Sequence, residues 1–144
     1  MNQTASSERR NQQVINELLT ERQEMLAEFC ALAGLEPYTG SKPALDKLRR
    51  FMQVMVDYIA LGHFEVYQHI AEGRERRTHM IEAAAGVYPK LVEATDVCVA
   101  FNDKYEGVDD TEDLLGLDEE LSALGETLAT RIELEDRLIA ALRR

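Results

Sequence analysis

The sequence predicts an all-α protein, a single-domain antiparallel bundle of four main helices with a short additional helix after Gly62. Apolar residues recur at three- and four-residue steps along several long segments, which is the periodicity of a helix buried on one face. Only 3 prolines and 8 glycines interrupt the 144 residues, so long helices are permitted. The connections between these segments are short, and short connections favour antiparallel neighbours around one core.

The predicted helices follow one another with little sequence between them. The first is expected over residues 7–33, the second over 43–62, the short third over 64–73 and the fourth over 77–105. Pro89 lies inside the fourth helix and is expected to kink or divide it, because proline has no backbone N–H to donate.

The two ends of the chain complete the predicted organisation. The last helix starts near Thr111 or after Gly116 and continues to the C-terminus. Residues 1–10 form a polar leader that we expect to be mobile, and residues 11–144 form the single helical domain.

The core and the cellular compartment are predicted from the apolar residues. Both cysteines, Cys30 and Cys98, occur within apolar helical patterns and are expected to be buried thiols rather than a disulfide. The N-terminus lacks the apolar stretch of a signal peptide. No run of consecutive apolar residues is long enough to span a membrane, so we expect a cytoplasmic protein. The apolar positions of the first helix are Ile15, Leu18, Met25, Phe29 and Leu32.

The charge of the chain excludes one class of function and favours another. A net charge of −11 would be repelled by the phosphate backbone, so we predict no direct binding to nucleic acid. The segment from Glu106 to Thr130 contains no Lys or Arg but many carboxylates. An acidic surface attracts a basic partner, although solubility alone also accounts for such a charge.

Four charged residues fall on or beside apolar faces, where an unpaired charge would be costly. Arg22 lies between apolar positions of the first helix, and Arg131 and Glu135 form an i,i+4 pair on the last. We expect Arg22, Arg131, Glu135 and Asp136 to form a structural polar cluster. A ligand-binding or catalytic role, or simple exposure to solvent, stays open for them.

A metal site is not indicated. Di-iron helical bundles use Glu-x-x-His, but the residues three before His63, His69 and His79 are Ala60, Val66 and Arg76. HExxH and CxxC spacings are also absent, so we predict neither a metal nor another cofactor.

A second helical face near the end of the second helix is a candidate binding surface. Asp57, Ala60, Leu61 and Phe64 follow i, i+3, i+4, i+7 spacing, offset from the apolar face that is expected to meet the core. Such a face, apolar with one carboxylate, suits the docking of a partner helix. The alternative is that Phe64 packs into the core.

Two segments carry a resemblance to a known family. "VDYIALGHFEVYQHI" and "LSALGETLATRIELEDRLIAAL" resemble the most characteristic segments of the bacterial regulator-of-sigma-D family of anti-sigma factors, and "VYPKLVEATDVCVAFND" resembles its middle helix. The likeness extends from about Val14 to Leu142. Its most specific features are Gly-His-Phe-x-x-Tyr, beginning at Gly62, and Arg-x-x-Leu-Glu-Asp-x-Leu-Ile, beginning at Arg131.

The resemblance implies a non-enzymatic regulator that binds the C-terminal domain of the primary sigma factor, the domain that reads the −35 element. Residues 11–144 would then be the anti-sigma domain, which competes with core RNA polymerase and promoter DNA, and a monomer is favoured. The family's contact surface includes the positions of Asp57 and Phe64. This chain departs from the family at Ala60, where a Ser is often found, and in the first helix, where Asn-Glu-Leu-Leu replaces Asp-Arg-Trp-Leu.

An alternative from another class is a small all-α enzyme or ligand-binding bundle. Arg22, Arg131 and Glu135 would then hold an anionic metabolite inside the bundle. A helical adaptor for a different protein is a third possibility.

Overall fold

The computed structural model describes residues 2–35, 42–63, 78–108 and 114–142. These residues form helices α1 (Asn2–Ala33), α2 (Lys42–Gly62), α3 (Thr78–Tyr105) and α4 (Leu117–Leu142). The described part of the chain contains no strand. The prediction of an all-α bundle with four main helices is therefore confirmed, and the short helix predicted over 64–73 lies outside the described residues.

The helix boundaries differ from the predicted ones at two places. Helix α1 begins at Asn2, so residues 2–10 of the polar leader belong to the helix. The mobility of the leader stays a prediction. Helix α3 continues through Pro89, and the exposed position of Pro89 explains this continuity, because water reaches the carbonyl group that a proline leaves without a donor.

The last helix uses the later of its two predicted starts. Gly116 adopts a φ of 84°, which glycine enters without strain, and its carbonyl oxygen accepts a 3.1 Å hydrogen bond from the Glu120 backbone N–H. Three carboxylates, Asp118, Glu119 and Glu120, occupy the first turn of α4. They stabilise it through the positive end of the helix dipole.

Helix α1 runs antiparallel to α4, because Arg22 meets Glu135 whereas Phe29, further along α1, meets Gly125, which lies earlier on α4. Ion pairs join α1 to both α2 and α4. Helix α1 lies against α2, where Glu24 and Arg50 pair at 2.7 Å, and against α4, where Arg22 and Glu135 pair at the same distance. Helix α3 packs on α4. The Nη2 atom of Arg49 donates a 2.9 Å hydrogen bond to the carbonyl oxygen of Val108, which ties α2 to the chain just after α3.

The core contains most of the predicted apolar positions, with two exceptions on α1. Ile15, Leu18, Met25 and Leu32 are buried, but Phe29 is only half-buried. Cys98 is buried and Cys30 is exposed, so the expectation of a buried Cys30 was wrong. The reason is angular, since a residue next to Phe29 is rotated by about 100° from it and faces solvent.

Among the described residues, no helix is both long and apolar enough to cross a bilayer.

Candidate functional site

The carboxylate of Glu135 is fully buried and joins three helices. Its Oε1 atom accepts hydrogen bonds from Arg22 Nη2 at 2.7 Å, Arg22 Nε at 3.1 Å and the Tyr58 hydroxyl at 2.5 Å. Its Oε2 atom pairs with Arg131 Nη1 at 3.3 Å. The side chains of Arg131 and Glu135 are both 0% exposed. We call these residues, together with Asp136, the Glu135 network.

All four residues of the predicted polar cluster are brought together here. Asp136 pairs with Arg22 Nη2 at 2.8 Å at the solvent edge of the network. Tyr58 is the member that the sequence reasoning missed. Its ring lies 4.9 Å from the Arg131 guanidinium, a cation–π distance. A tyrosine three residues after the core position Met55 needs a buried hydrogen-bond partner, which is the signal that was available.

Burial and contacts within the Glu135 network fix the protonation states of Arg22 and Tyr58. Burial lowers the pKa of the Arg22 guanidinium, but the hydrogen bond and charge of Glu135 more than offset this and leave the pKa above its ordinary value. Burial and the Glu135 charge raise the pKa of the Tyr58 hydroxyl. At neutral pH, Arg22 is therefore a cation and Tyr58 is a neutral donor.

This geometry argues against the metabolite-binding alternative. Glu135 already supplies a carboxylate to Arg22 and Arg131, so an anionic ligand would have to displace a fully buried carboxylate. The observed arrangement stabilises the contact of α1 and α2 with α4.

The predicted partner surface is described only in part. Asp57 is exposed, Ala60 and Leu61 are half-buried, and Leu61 packs against the core. Phe64 lies outside the described residues. The first three therefore offer a partner one carboxylate and a small apolar area.

The structure adds an acidic face around Asp57, formed by Asp57 of α2 together with Glu17 and Glu21 of α1 and with Glu24, whose carboxylate also pairs with Arg50. Burial and then the charges of Asp57, Glu24 and Glu17 raise the pKa of the Glu21 carboxyl. The Oε2 atom of Glu21 is buried and has no hydrogen-bond partner within the described part of the chain. Sequence reasoning missed Glu21, although its i,i+4 spacing from Glu17 was visible.

Glu21→Gln is expected to stabilise the isolated protein at pH 7 by less than about 1 kcal/mol, since half-buried charges are still screened by solvent. A carboxyl whose pKa is higher in the folded state opposes folding when it is ionised. The gain should therefore shrink as the pH falls through the folded pKa toward the ordinary value of 4.5. Thermal unfolding of the variant and the wild type between pH 4.5 and pH 7 measures this, with the exposed residue change Glu93→Gln as the control. A lower melting temperature for Glu21→Gln at pH 7 would contradict the repulsion.

Within the described ranges, no group of three or more His, Cys, Asp and Glu side chains lies close enough together to hold a metal ion.

The fold and the site together define an acidic helical bundle with a buried structural ion-pair network and a carboxylate-rich surface. This chain belongs to the family described as regulator of RNA polymerase sigma(70) subunit, Rsd/AlgQ, whose model matches residues 1–143. The resemblance noted in the sequence is thereby confirmed.

Individual relatives agree with the family match. A "Regulator of sigma D" from Yersinia enterocolitica is 32% identical over 131 residues, covering 88% of this chain and 78% of the relative. A protein with the same name from Sodalis glossinidius is 35% identical over 132 residues, covering 90% of this chain and 87% of the relative. No solved structure gives a significant match.

Proposed function

We propose that this protein binds the C-terminal, −35-reading domain of the primary sigma factor and so withholds it from core RNA polymerase and promoter DNA. The family match and the relatives named for sigma regulation support this reading. In this proposal the protein acts without catalysis, in the cytoplasm where transcription takes place, as a monomer that pairs with one sigma domain.

The observation that carries the proposal is the acidic face. Burial and then the Asp57 charge raise the pKa of the Glu21 carboxyl, whose buried Oε2 atom has no hydrogen-bond partner among the described residues. A partner that brings basic side chains to this face would bring opposite charge to Glu21 and Asp57.

The proposed partner has the matching chemistry. A promoter-reading helix-turn-helix carries basic residues that contact DNA phosphates. A carboxylate-rich face competes for these residues by offering negative charge in place of phosphate. Long-range attraction would speed the encounter and weaken with rising salt.

Apolar contacts would hold the complex after the encounter. Val56, beside Asp57, is 39% exposed, although large apolar side chains usually avoid water. In this proposal Phe64, seven residues after Asp57 in the sequence, supplies the main apolar anchor. Ala60 and Leu61 contribute less because they are already half-buried.

Asp57→Lys is expected to weaken binding of the isolated sigma C-terminal domain by about tenfold or more, because it places a cation against a basic partner. Isothermal titration at low salt measures the affinity. The melting temperature of the free variant should not fall, because Asp57 is exposed and a Lys beside Glu21 removes the repulsion between the two carboxylates.

The matched control is Glu133→Lys, the same charge reversal at an exposed position of α4. It should bind within about twofold of the wild type if position rather than net charge decides affinity. Equal losses of affinity in Asp57→Lys and Glu133→Lys would show that the acidic face is not the contact surface.

A further inference from the structure

An apolar groove lies between α1 and α4, on a different side of α1 from the acidic face. It consists of two adjoining cavities of about 500 and 270 Å³. The two cavities share Phe29, Gly125 and Ala129. Ala33 and Leu121 extend the larger cavity, and Leu26 and Ile132 extend the smaller one.

The close approach of Phe29 to α4 gives the groove its shape. A Cβ atom at Gly125 would lie 2.8 Å from Phe29 Cζ, so glycine is what allows the ring to reach the backbone of α4. On its other side the ring meets Phe51 edge-on, with 5.6 Å between ring centroids. Glycine inside a helix lowers helix stability by about 1 kcal/mol relative to alanine. At Gly125 this loss of stability accompanies the close packing of the Phe29 ring, which borders both cavities.

The spacing of the cavities matches one face of a helix. Along α4 the larger cavity extends over residues 118–129 and the smaller over residues 125–132, so their midpoints are about 7.5 Å apart at the rise of a helix. This separation lies between those of side chains one turn and two turns apart on a helix. Leu26 at the smaller cavity is 38% exposed, which leaves apolar surface for a partner.

The charges around the groove have one sign. Exposed Asp118 and Glu126 line the larger cavity. Residues 23–35, which form the last part of α1 and the two residues after it, contain no Lys or Arg. Residues 117–130 of α4 contain none either. Arg22, about one turn before Leu26 on α1, is already paired with Glu135 and Asp136.

We propose that this groove is a second docking site and that it accepts a basic amphipathic helix from a partner protein. The apolar face of that helix would place side chains one to two turns apart in the two cavities, and its cations would meet Asp118 and Glu126. A second copy of this chain is the wrong occupant, because each copy would bring the same carboxylates and a net charge of −11. The site is separate from the acidic face, since Glu21 faces Asp57 on α2 whereas Phe29 faces α4.

The test uses a fluorescent helical peptide of about 18 residues, long enough to form a helix when bound, with leucines on one face and lysines elsewhere. Fluorescence anisotropy measures its affinity for the full chain. Ala129 lines both cavities, so Ala129→Arg places a bulky cation where they adjoin and should weaken binding by about tenfold or more. Ala123→Arg makes the same change at an exposed position on the side of α4 that borders α3, and should stay within about twofold of the wild type.

A peptide with glutamates in place of lysines should bind at least about tenfold more weakly if the rim charges select the partner. Hydrogen exchange with the lysine peptide bound should slow over residues 23–33 and 117–132 rather than in α2. Ala129→Arg should bind the sigma C-terminal domain as the wild type does, which keeps this proposal separate from the proposed function.

Four outcomes would overturn the second site. The first is an equal loss of peptide affinity in Ala129→Arg and Ala123→Arg. The second is failure of the wild type to bind the lysine peptide, and the third is loss of sigma-domain binding in a folded Ala129→Arg variant. The fourth is a wild-type dimer in sedimentation that becomes a monomer in Ala129→Arg, because a second copy would then be the occupant.

Discussion

Glu135→Ala is expected to destabilise the folded protein by about 3–5 kcal/mol, the usual cost of removing one member of a buried ion pair. The substitution leaves the fully buried Arg131 without its carboxylate and deprives Arg22 and Tyr58 of their shared acceptor. Arg22 keeps Asp136, so the loss falls mainly on Arg131 and Tyr58. Urea unfolding of the variant and the wild type, followed by circular dichroism, measures the difference.

Two further variants test whether burial causes the loss of stability expected in Glu135→Ala. Glu133→Ala removes an exposed carboxylate that pairs with Arg137 at 3.4 Å, and should change stability by less than about 0.5 kcal/mol. The double change Arg131→Met with Glu135→Leu removes both buried charges and should destabilise the protein less than Glu135→Ala alone. If Glu135→Ala lost less than about 1 kcal/mol, the network would not be a structural element.

Phe64→Ala is expected to weaken binding of the sigma C-terminal domain by about 2 kcal/mol or more, roughly thirtyfold, because a central aromatic anchor carries much of an interface. The melting temperature of the free protein should change little if the ring projects from the fold. Titration of the domain together with thermal unfolding of the free variant separates the two effects.

The control for this change is Val97→Ala on α3, a truncation of an apolar side chain that is 44% exposed. It should leave both affinity and melting near the wild-type values. An unfolded Phe64→Ala variant would instead place Phe64 in the core, and a folded one with full affinity would remove it from the interface.

The sequence predicted the helices well because their signals are local. Periodic apolar residues, Gly116 and Gly62 define most of the helix limits without reference to any distant contact. Pro89 shows the limit of such reasoning, because its effect depends on whether it faces solvent or a neighbouring helix. That information exists only once the bundle is packed.

The polar cluster was predictable for a different reason. Charges such as Arg131 and Glu135 on an apolar face must find partners, so the need for a cluster is visible in one helix alone. The identity of a further partner, Tyr58, required the packing of α2 against α4.

The acidic face and the groove were not predicted because each combines two helices. Glu21 is one of many carboxylates until α2 brings Asp57 beside it. Phe29 was expected in the core, and only its contact with Gly125 reveals that the ring borders an open groove. Pairings between helices of this kind depend on packing angles that no single segment encodes.

The central claim is that the acidic face of α1 and α2 binds the promoter-reading domain of the primary sigma factor. The direct measurement is a calorimetric titration of that isolated domain into the wild-type protein at low and at raised salt. The account predicts a one-to-one complex whose affinity falls as salt rises. No binding of the folded domain at low salt would contradict it.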